Sequence, residues 1–238
     1  MIMRIFISLF ALFILAGCQP AAKTSDPLAG LDHREGFIDL YVDKNKNRVL
    51  VKLPDADEDG VSLRLIHTAR LTAGLGSNPV GLDRGWGDSG KIIVFRRIGN
   101  KVIIEAENLL YRASPDNPLE ERAVRESFAR SFLASADVIK GSNGLVVDLT
   151  DFLTSDVLNL KQYLKDRGEG SFSLSKDRTL VDTKNVFAFP DNVEMDVFLH
   201  SLRIRLGVNF QPLRPMGAMR RLSSIIALFG SLKRATRL

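Results

Sequence analysis

The stretch KIIVFRRIGNKVIIEAE, residues 91–107, leaves few options for the backbone. Two short runs rich in β-branched residues flank Ile98-Gly99-Asn100. Ile and Val pack well along an extended chain, while Gly and Asn accept the backbone angles of a tight reversal. The pattern predicts an antiparallel hairpin. A lone hairpin is barely stable in water, so the rest of the chain has to supply more strands or a covering layer.

It does. GFIDLYV and NRVLVKL, separated by DKNK, read as another hairpin with a polar turn. VSLRLIHTARL alternates, with Val61, Leu63, Leu65, His67, Ala69 and Leu71 on one face. GLVVDLT reads as a buried strand, and SFSLS, NVFAF and VEMDVFLHSLRIRL also have strand character. In the last run the apolar parity switches at His200-Ser201, which predicts a bulge.

Helical signals are fewer. Pro118 suits the first position of a helix through PLEERAVRESFARSFLASA, with Asp116 or Asn117 as its cap. Periodicity leaves the C-terminal part of that segment open between helix and strand. A second helix is expected through DVLNLKQYLKDR, capped by Ser155 and stopped at Gly168. The expected fold is α+β and β-rich: antiparallel strands and hairpins with one or two helices, sandwich-like.

The N-terminus, MIMRIFISLFALFILAGCQP, has one basic residue, an apolar run from Ile5 to Leu15, and then small residues. A bilayer span needs about 20 apolar residues, so this is the build of an export signal. Leu15-Ala16-Gly17-Cys18 matches the bacterial lipobox, and residues 1–17 are identified as a lipoprotein signal peptide. The resemblance implies that the Cys18 thiol is lipidated and becomes the new N-terminus. Acyl burial gives about 0.8 kcal/mol per CH₂, and about two chains hold a protein on its membrane. Cys18 is the one cysteine of the chain, so no internal disulfide exists. Gln19 follows it where an Asp would signal inner-membrane retention, so the outer membrane is the expected location. Residues 18–35 read as a tether, 36–213 as the folded domain, and 214–238 as a basic tail.

Charge argues against a nucleic-acid partner. From Ser201 onward there are eight basic residues and no acid. Residues 1–200 then hold 25 basic against 28 acidic side chains, a net charge of −3. A polyanion-binding domain carries its basic excess on the folded body.

No catalytic set assembles. Gly85, Gly87 and Gly90 fit the dinucleotide glycine spacing, but a loop precedes them and a strand comes after, the reverse of what a pyrophosphate site needs. Gly87-Asp88-Ser89-Gly90 has the form of a serine-protease nucleophile loop, without enough chain upstream for the rest of that machinery. Asp55, Asp57, Asp59 and Gly60 begin like a calcium loop, yet the position of its bidentate Glu is Ile66, so an acidic turn is the better reading. His33, His67 and His200 lie far apart, and none is followed by Glu as in H-E-x-x-H. His67, on the apolar parity of its strand, reads as a core histidine with a satisfied ring. The expectation is no catalytic residue, no metal ligand and no cofactor in this chain.

Taken in order, GSNPVGLDRG, the KIIVFRR–KVIIEAENLLYRA hairpin, AVRESFARSFLAS, LVVDLTDFLTSD and NVFAFPDNVEMD resemble the N-terminal region of large bacterial zinc-dependent metalloproteases. In that group a β-rich domain precedes a metzincin-like catalytic domain carrying H-E-x-x-H. The resemblance covers about Gly36 to Leu213 and implies a non-catalytic domain whose zinc ligands and general base belong to a separate, C-terminal domain. It implies that the intact parent is a peptidase, that zinc belongs to that parent alone, and that the missing catalytic domain is a natural partner. The alternative is a stand-alone envelope lipoprotein, a binding or scaffold module that uses the glycine-rich loop between Leu71 and Lys91 to contact a partner. The tail fits the first reading. Codons for Ile225 to Arg237 exist that give a family-like continuation in the neighbouring frame, so the expectation is a frame shift between Arg214 and Ser224 and a truncated product. The competing expectation is a membrane-surface helix through Ile225, Ile226, Leu228 and Phe229.

Overall fold

The computed structural model describes residues 26–74, 80–114, 116–128, 130–203 and 227–229. The signal peptide, Cys18 and most of the basic tail lie outside the described residues. The first strand, β1 (Asp32–Arg34), falls in the stretch read as tether and pairs antiparallel with β2 (Asp39–Asp43). Order therefore begins before Gly36, because β2 offers its outer edge to any extended segment beside it.

β2 and β3 (Arg48–Leu53) form the first expected hairpin. Its turn closes when the Asp43 carboxylate accepts the Lys46 N–H and the Arg48 guanidinium. Those two donors, the guanidinium first, hold its carboxyl below the usual carboxylate range. β8 (Leu145–Asp148) joins β3 to complete a sheet in the order β1-β2-β3-β8.

The second sheet is built around β4 (Val61–Thr68), β5 (Lys91–Ile98), β6 (Lys101–Ala106) and β7 (Ser131–Asp137). β5 and β6 are the hairpin expected from residues 91–107, closed at Gly99, whose φ is +59°. The alternation through β4 and the residues that follow it is as expected, with Leu65, His67, Ala69 and Leu71 all buried. Both sheets are antiparallel, neither closes into a barrel, and they share one apolar core. Leu40, Val42, Val49 and Val51 enter it from the first sheet, and Leu65, Ile93, Phe95 and Ile104 from the second. The β-rich, sandwich-like expectation holds.

Three details differ. The segment 118–137 divides into helix α1 (Pro118–Ser127) and strand β7, because Phe128 turns extended and β6 is there to pair with residues 131–137. Thr150–Leu153 forms a short helix α2, and α3 begins only at Leu160, running to Asp166. Its first amides, of Leu160 and Lys161, are taken by the Asp156 carboxylate, whereas the Ser155 hydroxyl donates to the Phe152 carbonyl. Gly168, at φ +73°, stops α3 as expected: its N–H goes to the Lys165 carbonyl and that of Glu169 to Leu164.

The expected bulge at His200-Ser201 is a change of partner. β10 (Leu180–Ala188) pairs with β11 (Val193–Phe198), and β12 (Ser201–Arg203) then pairs with β9 (Phe172–Leu174). Parity reverses there because the chain leaves one ribbon for another. In the tail, β13 (Ala227–Phe229) is extended beside the outer edge of β4, so the helical expectation fails at Leu228 and Phe229. An open strand edge supplies hydrogen-bond partners that an isolated helix of three residues lacks.

Candidate interaction surface

The most unusual exposed feature is the arm between β6 and β7. Asn117 is its pivot: the Oδ1 atom accepts the Glu120 N–H at 3.2 Å, and Pro118 takes the first helical position, where no amide proton is needed. Glu120 and Glu121 in the first turn and Arg125 in the last complement the helix dipole. Local chemistry thus forms α1 with little help from packing. None of its residues is buried.

Large apolar side chains on this arm and on the neighbouring strand are exposed. Leu110 is 88% exposed, Leu119 78% and Phe132, on the neighbouring edge strand, 64%. Tyr111 stacks on Phe128 with centroids 3.8 Å apart and planes 4° from parallel, which ties the strand-to-helix linker to the end of α1. Arginines of the arm and the adjoining sheet form ion pairs: Arg130 reaches Glu105 at 3.3 Å, Arg96 reaches the same carboxylate at 3.4 Å, and Arg122 pairs with Glu126 within the helix. Exposed aromatic, leucine and arginine side chains are the composition of a protein contact.

The residues singled out by sequence are scattered by the fold. His33 stacks on Tyr41 at 4.6 Å and lies 3.5 Å from the Asp39 carboxylate on the first sheet. His200, between β11 and β12, has its Nε2 3.5 Å from an Arg178 guanidinium nitrogen. His67 is in the core as expected, 1% exposed, but its ring is not satisfied: neither nitrogen has a hydrogen-bond partner among the described residues. Phe152 packs against it, with ring centroids 5.5 Å apart. Burial pushes the imidazole down to about 4; the Asp88 carboxylate opposes this and the Lys91 ammonium adds to it. Among the described residues, no three His, Cys, Asp or Glu side chains gather as a metal cluster.

The acidic turn is organised by Asp57, whose Oδ1 accepts the Asp59 and Val61 amides at 3.0 and 2.8 Å. The described part of the glycine-rich stretch, from Val80 onward, packs on the scaffold. Gly87 bridges Arg70 and extends the β4–β5 hairpin, while Asp88 exchanges two hydrogen bonds with Ala69, one through its carboxylate. Trp86 leans on Tyr163 at 4.6 Å, and the Tyr163 hydroxyl donates to the Val80 carbonyl. Residues 75–79 of the glycine-rich loop, which the alternative reading assigned to a partner contact, lie outside the described residues. The sequence signal for the α1 arm is a negative one: PLEERAVRES lacks a broad apolar face for a core, and only the exposure of its neighbours makes that informative.

Residues 87–208, just over half of the chain, match the model of a family described as a domain of unknown function, DUF5117. The matched stretch runs from the extension of the β4–β5 hairpin through β12 and includes the α1 arm. No curated protein and no solved structure matches the chain.

Proposed function

Since the chain belongs to the DUF5117 family of domains of unknown function, we propose that it is a non-catalytic envelope domain, lipid-anchored through Cys18, that docks a protein surface with its α1 arm. The partner is the zinc-dependent peptidase domain that comes after this type of domain in the metalloproteases it resembles. The observation that carries the reading is a ten-residue helix with no buried residue, its own Leu119 exposed along with Leu110 before it and Phe132 after it. Apolar surface left in water forgoes about 25 cal/mol per Å², so large side chains exposed to this degree are stabilised when a partner covers them. In this role the arm contributes binding, and zinc and peptide hydrolysis belong to the partner.

Site-specific photo-crosslinking tests it. A photoreactive residue at position 119, in cells expressing the full chain, is expected to trap a protein whose sequence carries H-E-x-x-H; the same group at position 98, on an exposed hairpin tip, is the control. An adduct lacking that motif, or equal trapping from both positions, would sink the reading. Labelled palmitate in wild type but not in Cys18→Ala tests the anchor separately.

A further inference from the structure

Between β7 and β8 the chain crosses from the second sheet to the first through residues 138–144. The loop is closed at its base by the Ile139 N–H, which donates to the Val146 carbonyl at 2.8 Å. The Ser142 hydroxyl donates to the Ile139 carbonyl, also at 2.8 Å. Gly141 and Gly144 hold φ values of +81° and +94°, so the backbone reverses on both sides of Ser142-Asn143. Asn143 and Gly144 are exposed. Among the described residues, no hydrogen bond takes the Asn143 side-chain amide or the Gly144 N–H.

That dipeptide has a chemistry of its own. Asparagine is a thermolabile residue, and its usual reaction uses the backbone beside it. The nitrogen of the following residue attacks Cγ and closes a cyclic imide. A side chain on the following residue crowds that attack, and glycine has none. Asn143 is the one asparagine of the chain that precedes glycine.

We infer that Asn143-Gly144 is a self-modification site, at which the folded chain converts asparagine to isoaspartate. The Gly144 nitrogen forms a bond to Asn143 Cγ. The Cγ–Nδ2 bond breaks, and Nδ2 leaves as ammonia with the proton that the Gly144 nitrogen gave up. Water then opens the imide. Attack at the Asn143 backbone carbonyl leaves isoaspartate, whose main chain runs through Cγ, and attack at Cγ leaves aspartate. One water is consumed, one ammonia is released, and nothing is oxidised or reduced. The new carboxylate arises beside a cation: a Cβ on Gly144 would lie 3.1 Å from the Lys52 Cε, and Lys52 has no acidic partner among the described residues. Isoaspartate also adds a methylene to the backbone inside the loop that Ile139 and Val146 close. The site depends on neither the α1 arm nor Cys18.

Heavy-oxygen water reads the reaction on the full chain, because each conversion fixes one oxygen from the solvent. The folded protein is held in that water at mildly alkaline pH and then digested in ordinary water. Mass spectrometry follows, with fragmentation that separates isoaspartate from aspartate. The expected result is label at Asn143, with isoaspartate exceeding aspartate. It should accumulate several-fold faster than at Asn100, an exposed asparagine at the β5–β6 turn that precedes Lys101. Equal rates at Asn143 and Asn100 overturn the inference, and so does aspartate alone, which is direct hydrolysis without the imide. Label at this position that persists in Asn143→Gln overturns it as well. So does label that enters Asn143 only in denaturant, because the folded loop then keeps the Gly144 nitrogen away from Cγ.

Discussion

Asn47 and Val181, 134 positions apart, pair as if they were neighbours on two strands. The Asn47 Nδ2 donates to the Val181 carbonyl at 2.8 Å, and its Oδ1 accepts the Val181 N–H at 2.9 Å. One side-chain amide supplies both halves of a backbone ladder rung and attaches the first hairpin turn to the start of β10. Asn47 holds a left-handed backbone, φ +50°, which Asn tolerates better than most residues.

Replacing it separates the two roles. Asn47→Gly keeps the backbone angle and loses both bonds; Asn47→Ala loses the bonds and strains the turn. We expect a loss of about 1–3 kcal/mol for Gly and more for Ala in denaturant unfolding. Equal stability of the wild type and both variants would show that the rung contributes nothing net.

His67 makes stability depend on pH in a definite direction. Its folded value is about 4, below the ordinary 6.5, so the folded state favours the neutral ring. This contribution is complete above pH 6.5, falls as pH drops toward 4, and totals about 3 kcal/mol. His67→Phe should flatten that part of the profile. Parallel profiles for wild type and variant between about pH 4 and 7 would count against a buried neutral ring.

Gly87 admits no side chain. A Cβ there would collide with the Ala69 carbonyl, the same backbone that exchanges hydrogen bonds with Asp88. Gly87→Ala is therefore expected to cost about 1–3 kcal/mol and to speed amide exchange at Ala69 and Asp88. Unchanged exchange at both amides would be the contrary result.

α1 should respond to its cap without disturbing the core. Asn117→Ala removes the bond to Glu120 and is expected to cost about 1 kcal/mol locally, seen as faster hydrogen exchange in Pro118–Ser127 with an unchanged global midpoint. A lowered midpoint would mean that the helix is coupled to the core after all.

Leu119→Ser and Phe132→Ser separate binding from folding. Both side chains are mostly in water, so each change should alter stability by less than about 0.5 kcal/mol while weakening trapping at the arm. Loss of stability with trapping intact is the opposite pattern and would assign the patch to the fold.

The legible parts of the candidate surface are local. Asn117 and Pro118 announce the start of α1, and Gly168 the stop of α3, because caps act within a turn of the residues they serve. That α1 lies uncovered is not legible in the same way, since exposure depends on what fails to pack around a helix. The same holds for the outer face of β10–β11, where alternation separates Val193, Met195 and Val197 from Glu194 and Asp196 without saying what faces the acids.

A β-rich chain of hairpins was already implied by the residues alone. The period-two alternation of VSLRLIHTARL and the Gly99-Asn100 turn are consequences of backbone geometry within a few residues. Three other features came from the assembled fold: the change of partner at His200-Ser201, the burial of His67 without a hydrogen bond from the described residues, and the rung that Asn47 completes with Val181. Each depends on which distant segment arrives alongside. That choice is made by the shared core of the two sheets, which no local window of sequence contains.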